Sequence, residues 1–501
     1  MKPPQLRLTL LLASIVSVAH AEVRLPALFS DNMVLQQGVP VPVWGWANDG
    51  EVVTVEFRGR KASATAHNNK WSVKLPKQKA GGPDTLTISS REKSIKLSNV
   101  LVGEVWLCSG QSNMEWPLQS AFEPEADIAS ATNELIRLFN VPNVRAECPT
   151  TRINASWQIC SPQSARGFSA VAYYFGRDLQ KARKVPVGLI QSDWGGSPAE
   201  VWMSRESLEI NPRYQTEILE PATAADKNYR EALINYEREK AEAQRKGETF
   251  NKRAPNLGWR PSELYNGMIA PLIPYAFKGA IWYQGESNAG RAHQYRTLFP
   301  DMIRNWRRDW GQGDFPFLSV QLAPFMAIKT EPAESAWAEL REAQLLSTKV
   351  LPNAGMAVIT DVGEEKDIHP KKKGPVGARL ALAARAIAYG EHIEYSGPMF
   401  SGVGFKDGAA VLRFDHVGKG LEARGGELKG FSICSDDKAF VWAKAEIQGD
   451  TVVVSNPQVS KPVAVRYGWA DYPLGNLWNK NGLPASPFRT DDFPMTTEPK
   501  K

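Results

Sequence analysis

The sequence predicts an α/β protein in which a doubly wound, parallel sheet is flanked by an amino-terminal and a carboxy-terminal β-sandwich-like domain. Three observations carry that expectation. Five short apolar runs in the middle of the chain alternate with helical stretches, the pattern of buried parallel strands joined by crossover helices. The residues on either side instead alternate apolar and polar positions between turn residues, as half-buried antiparallel strands do. Finally, 501 residues at 43% apolar and 23% charged suffice for about three domains of roughly 150 residues, with ample core in each.

The first segment is an address rather than a fold. Residues 1–21 carry Lys2 and Arg7, an apolar run over 8–18 and the ending Ala19-His20-Ala21. A basic start, a short apolar stretch and a small-x-small ending make a secretory signal peptide cleaved before Glu22. The run falls well short of the ~20 residues that span a bilayer. An exported protein, periplasmic or secreted and without a membrane span, is therefore expected, its formal charge falling from +6 to +4 once Lys2 and Arg7 are removed.

Residues 22–100 form the amino-terminal flank, with strands expected over 41–46, 52–57, 71–75 and 86–88. Asn48-Asp49-Gly50 and Ala80-Gly81-Gly82-Pro83 punctuate them. Residues 101–395 are the core domain. Its strands are expected at 102–107, 187–191, 280–283, 317–321 and 357–360, and its clearest helices at 170–181 and 376–389. An insertion over about 205–262 carries Tyr229, Leu233 and Tyr236 on one helical face amid dense charge. It reads first as a solvated flap and second as a rim over the site. Residues 396–501 return to strand pattern at 410–414, 440–442, 451–454 and 463–467.

Composition excludes several functions. The longest basic block is Lys371-Lys372-Lys373, which reads as a solvated helix start, so no nucleic-acid partner is expected. The four cysteines include no CxxC, and there is no HExxH; neither a metal nor any other cofactor is expected. Export permits a disulfide, and Cys148 and Cys160 are the expected pair, with Cys108 and Cys434 as buried thiols. Asn154-Ala155-Ser156 is a glycosylation sequon, relevant only in a eukaryotic host. Sixteen tryptophans suit stacking on sugar rings as well as core packing.

In open α/β sheets ligands bind beyond the carboxyl ends of the strands. Ser109-Gly110-Gln111-Ser112-Asn113-Met114 follows the first strand, and Asp193-Trp194-Gly195-Gly196-Ser197-Pro198 the second. Gln284-Gly285-Glu286-Ser287-Asn288 follows the third, and Asp367-Ile368-His369-Pro370 comes after the fifth. Each is an ordinary loop alone; four on one edge of one sheet assemble the parts of an acyl-transfer site. Ser112, at a strand-to-helix turn, is the candidate nucleophile. His369 is the candidate base and Asp367 the acid that orients it. The Ser112 N–H, the Gly195-Gly196 backbone and the Asn288 amide are candidate oxyanion donors. Ser287 is a rival nucleophile without an elbow of the first-strand kind. Trp116 and Trp194 are candidates for a sugar-facing wall, Trp202 and Trp282 are weighted towards core, and Gln111, Gln284 and Glu286 are further candidate substrate contacts. His67, His293, His392 and His416 read as surface or packing residues.

These blocks resemble those of SGNH-type carbohydrate O-acetylesterases, most closely the sialate O-acetylesterase branch. The resemblance extends to Met33-Val34-Leu35-Gln36-Gln37, to Tyr265-Asn266-Gly267-Met268-Ile269-Ala270-Pro271-Leu272 and to Leu340-Arg341-Glu342-Ala343-Gln344, covering roughly residues 25–390. It implies a flavodoxin-like hydrolase domain and a metal-independent serine esterase acting on acetylated carbohydrate, O-acetylated sialic acids first. It implies Ser112 as nucleophile, Gly196 and Asn288 as oxyanion donors and His369 as base. The acid stands two residues before His369 where many such enzymes use three, which keeps Asp361, Glu364 and Glu365 beside Asp367. A deacetylase of xylan or another plant polysaccharide is the alternative within enzymes. A lipase fits less well, because the first block is not a GxSxG elbow. A carbohydrate-binding protein with a degenerate core is the non-enzyme alternative; it would have lost one of Ser112, Asn288, Asp367 and His369, and all four are present.

Overall fold

The computed structural model describes residues 23–91 and 93–499; the expected signal peptide lies outside them. The strands of the central sheet are β1 (Ser94–Gly110), β2 (Asn133–Asn140), β3 (Gln158–Cys160), β4 (Val187–Asp193), β5 (Gly279–Tyr283), β6 (Phe317–Val320) and β7 (Ala354–Ala357). They lie in the order β7-β6-β5-β1-β4-β2-β3, all parallel except β3, which runs antiparallel to β2. Counting only the five strands that apolar runs predict, the order is 2-1-3-4-5, that of doubly wound flavodoxin-like sheets. The order reverses at β1, so the crevice for a ligand opens beyond the ends of β1, β4 and β5.

Side chains on β1 alternate between two cores. Val105 and Leu107 join one, with α4 (Ala292–Trp310), α5 (Ala336–Val350) and the large rings of Trp282 and Trp306. Trp106 and Cys108 join the other, with α2 (Ala170–Arg183) and α6 (Lys373–Ile387). Strands buried on both faces read as continuous apolar runs, which is why these strands were visible in the sequence.

The expected boundary at residue 100 falls inside a strand. The first half of β1 pairs with the strand Gly81–Ser89 of the amino-terminal flank, and its second half is the centre of the core sheet. Val53, Val55, Phe57 and Ile88 of the flank belong to the same apolar cluster as Trp282 and Trp306. The carboxy-terminal flank consists of antiparallel sheets around a cluster of its own, including Leu412, Phe431, Val452 and Phe488.

Three expectations need correction. The fifth strand is Ala354–Ala357 rather than 357–360, because its only partner, β6, spans Phe317–Val320 and sets the ladder. β2 had no place among the expected strands: its buried Ile136, Leu138 and Phe139 are interrupted by Arg137, itself buried. Cys148 and Cys160 are both free thiols. Cys148 is exposed, whereas Cys160 is buried with its Sγ donating to Ala131 O at 3.1 Å, so chain proximity did not bring them together. The insertion is largely the exposed helix α3 (Glu220–Lys246) followed by an irregular return.

Candidate active site

Four loops meet at the carboxyl end of the sheet. β1 stops at Gly110, where φ is 145° and a Cβ would collide with the Tyr283 carbonyl. The Gln111 N–H donates to that carbonyl at 2.9 Å. The chain therefore leaves the sheet within one residue, and Ser112, half-buried, opens the short helix α1 (Ser112–Glu115).

After β4, the Trp194 N–H returns to Gly110 O at 3.2 Å and locks the second loop against the first. Here the two glycines part company. The Gly195 N–H donates to Glu115 Oε2 at 2.6 Å, whereas Gly196 adopts a left-handed φ of 73° and is exposed. Glu115 thus occupies one candidate donor and leaves the other open to a ligand.

Asn288 lies in the turn Glu286–Arg291 and is wholly buried. Its Oδ1 accepts the Ala199 N–H (2.9 Å) and Gln284 Nε2 (2.6 Å), while its Nδ2 donates to Glu200 Oε2 (3.0 Å). Arg291 holds the other oxygen of Glu200 at 2.6 Å. The amide is fixed in one orientation by carboxylate and backbone.

His369 arrives from the loop between β7 and α6. Its Nε2 lies 2.9 Å from Ser112 Oγ, and its Nδ1 lies 3.4 Å from Asp367 Oδ1. The same carboxylate oxygen accepts the His369 backbone N–H at 2.9 Å. The other acids are engaged elsewhere: Asp361 with Arg379, Glu364 with the Lys371 N–H and Glu365 with the Ile328 N–H. The Trp116 ring stacks on the imidazole at 5.2 Å and 17°, and its Nε1 donates to Ser120 O at 2.7 Å. Burial pushes the His369 pKa below its ordinary value; Asp367 opposes that shift and the Lys373 ammonium adds to it.

The remaining expected contacts divide. Trp194 is half-buried and meets Trp259 edge-on at 5.3 Å, whereas Trp202 and Trp282 are core. Gln111 and Gln284, expected to touch substrate, are buried beneath it. Gln111 Oε1 accepts the N–H groups of Gly285 (3.4 Å) and Ser287 (3.3 Å). Gln284 joins Ser197 O and Asn288 to the Tyr295 hydroxyl. Loops this short leave backbone groups that only a buried amide can satisfy. Glu286 is half-buried and accepts Asn113 Nδ2 at 2.6 Å. Ser287 is exposed on the third loop, while the imidazole is bonded to Ser112.

Sequence reasoning missed Glu115, Asn113, Glu200, Trp259 and Lys373. Trp259 brings the return of the insertion to the site, the rim role that had been placed second. Lys373 was expected to be solvated with its neighbours; Lys371 and Lys372 are exposed, but Lys373 is buried and its Nζ donates to Asn113 Oδ1. One signal was available: a lysine in the first turn of a helix opposes the macrodipole, and something must compensate.

A hydroxyl, an imidazole and a carboxylate in line at the reversal point of a doubly wound sheet define the class as a hydrolase. A family model described as carbohydrate esterase, sialic acid-specific acetylesterase, matches residues 247–386, which include the Asn288 and His369 loops. The sialate O-acetylesterase of Mus musculus is 30% identical over 92% of this chain and 93% of its own length. That of Homo sapiens is 29% identical over 93% and 92%. A crystal structure of a carbohydrate acetylesterase from Xanthomonas citri superposes with a TM-score of 0.82 at 40% identity, covering 94% of this chain and all of the other. The chain belongs to the sialate O-acetylesterase family and is a carbohydrate O-acetylesterase. The similarity runs beyond the residue 390 at which the motif resemblance stopped, into the carboxy-terminal flank.

Proposed function

We propose that the protein is an exported serine esterase that removes O-acetyl groups from sugars through an acetyl-enzyme on Ser112. The observation that carries this reading is the 2.9 Å contact between Ser112 Oγ and His369 Nε2. In the first half-reaction Ser112 Oγ attacks the acetyl carbonyl carbon as His369 Nε2 takes its proton. The N–H groups of Ser112 and Gly196 meet the oxyanion, with the one N–H of the Asn288 amide that Glu200 does not hold; each such donor is worth on the order of a hundredfold to a thousandfold in rate. The C–O bond to the sugar then breaks, and His369 returns the proton to the departing hydroxyl oxygen. In the second half a water, deprotonated by His369, attacks acetyl-Ser112 and releases acetate. Asp367 orients the imidazole and stabilises its cation. Trp116 and Trp194 wall the sugar.

O-acetylated sialic acid is the first substrate reading, supported by the names of the relatives. A neutral polysaccharide such as acetylated xylan is the second, and one observation favours it. Arg145, which lies over the Trp259 ring (5.0 Å), and Arg260, which follows Trp259 in the chain, already have acid partners in Glu263 (2.7 Å) and Glu147 (3.0 Å), and Arg291 on the Asn288 turn is paired with Glu200 (2.6 Å). A sialate carboxylate would have to compete with them.

The test is acetate release from 9-O-acetylated sialic acid and from acetylated xylan, by wild type and Ser112→Ala. Loss of at least about four orders of magnitude in kcat with an unchanged melting temperature is expected for the variant. Turnover retained by it would move the nucleophile elsewhere, with Ser287 next. Efficient release from the sialic acid supports the first substrate and release from xylan alone the second. Export predicts that protein recovered outside the cytoplasm begins at Glu22, which amino-terminal sequencing reads directly.

A further inference from the structure

Lys373 is 1% exposed, yet among the described residues the polar partner of its Nζ is an amide oxygen and not a carboxylate. Its one hydrogen bond goes to Asn113 Oδ1, at 2.5 Å. The ammonium otherwise lies over the rings of Trp116 (5.7 Å) and Tyr283 (5.3 Å). An ammonium needs an acceptor, so the Asn113 amide can take only one orientation. Its Nδ2 then faces two acceptors, Glu286 Oε1 at 2.6 Å and Ile368 O at 3.0 Å. Asn113 follows Ser112 and Ile368 precedes His369, so a single amide ties the nucleophile's turn to the base's loop. Trp116, the ring against which His369 stacks, lies under the same ammonium. Burying a cation without a carboxylate in hydrogen-bonding contact is unfavourable, and an aliphatic side chain would fill the space at lower cost.

We propose that Lys373 is a positioning residue for hydrolysis: through Asn113 it holds the Ser112 and His369 side chains within proton-transfer distance. The inference rests on the reading of Ser112 and His369 as nucleophile and base. It has an electrostatic consequence. His369 is faced by Asp367 on its own loop and by Lys373 on α6; Lys373 is faced by Glu286 after β5, by Asp367 and Glu364 on the His369 loop, and by the Trp116 and Tyr283 rings. Burial pushes the Lys373 pKa down to about 7, opposed by those carboxylates, so the side chain is an ammonium over the acid limb; there it disfavours the imidazolium, and removing it lets His369 protonate at higher pH.

The experiment measures kcat, KM and the pH profile of acetate release for Lys373→Met, Asn113→Ala and the double variant, each checked for cooperative melting. Lys373→Met is expected to lower kcat about tenfold or more with KM within about threefold, since misplacement of reacting groups acts on turnover. Its acid limb should move to higher pH, and the double variant should be no slower than Asn113→Ala. Wild-type kcat in folded Lys373→Met, an unmoved acid limb, or losses that multiply in the double variant would each overturn the proposal. Should Lys373→Met not fold, Asn113→Asp decides: it keeps a partner for the lysine but cannot donate to Ile368 O. Reduced kcat supports the bridge and unchanged kcat overturns it. Ser112→Ala separates the two levels, because an inactive Ser112→Ala beside an unimpaired Lys373→Met sinks the positioning role alone, whereas an active Ser112→Ala sinks the serine reading itself.

Discussion

In the proposed mechanism His369 has to be neutral to accept a proton from Ser112, so its pKa would set the acid limit of activity. Burial holds that pKa below the ordinary value, Asp367 pulls it up, and Lys373 pushes it down again. A lowered pKa keeps the base form present further into acid. The acid limb of kcat/KM is therefore expected below the ordinary histidine value of about 6.5, to be read from a pH profile between about pH 4 and 8. A limb at or above that value would mean that Asp367 outweighs burial. At this scale the three side chains that the motifs flagged, Ser112, His369 and Asp367, are brought together. Their orienters were not legible in the sequence. Asn113, Glu115 and Glu200 act by contacts that span 173, 80 and 88 positions in the chain, a separation that no local pattern encodes. Glu115 illustrates the gain. By accepting the Gly195 N–H it engages that glycine and leaves Gly196, the donor that the resemblance implies, without a protein acceptor among the described contacts.

The element that carries the candidate site is the elbow from β1 into α1. It exists because Gly110 lets the strand end against the Tyr283 carbonyl in a backbone conformation that side chains rarely adopt. Gly110→Ala is expected to cost about 2–3 kcal/mol in folding free energy, measured by urea unfolding, with loss of acetate release. An alanine tolerated within about 0.5 kcal/mol would show that the elbow can relax. β1 also has a second task. Its amino-terminal half is the last strand of the flank and its carboxyl half the centre of the core sheet, so the elbow is held from both ends. Strands and helices of the core were readable wherever they were continuously apolar, and β2 was lost where Arg137 broke the run. The insertion helix α3 was readable as a solvated helix. That its return delivers Trp259 to Trp194 was not.

Across the whole molecule, the carboxy-terminal flank is fastened to the core through buried polar contacts. Arg341 on α5 is fully buried and donates to Leu322 O (2.8 Å) and Ala323 O (3.0 Å) of the core, and to Ala470 O (2.7 Å) and Asp471 O (2.9 Å) of the flank. Arg489 reaches Glu342 at 2.8 Å and Arg466 reaches Glu334 at 2.8 Å. Gln344, one turn beyond Arg341, donates to Gln284 O at 3.0 Å, behind the Asn288 loop. The motif Leu340-Arg341-Glu342-Ala343-Gln344 thus connects the flank to the site, and the flank serves as a buttress. A chain ending at residue 395 would leave Arg341 buried beside missing acceptors, a penalty of about 1–3 kcal/mol for each unsatisfied group. It is expected to lack cooperative unfolding and activity; an active, cooperatively melting fragment would refute the buttress.

The sequence by itself determined the fold class, the succession of strand-rich, alternating and again strand-rich segments, and the four loops that meet at the candidate site. Those features depend on local periodicity, turn residues and motif spacing, which neighbouring residues encode. Only the tertiary structure decided which glycine faces outward, which acid faces His369, which glutamines lie beneath the loops, that Cys148 and Cys160 remain apart, and that Lys373 is buried. Each of these depends on burial and on partners distant in the chain. The free energy of a buried polar or charged group is set by what surrounds it in space, and the surroundings are assembled only when the chain folds.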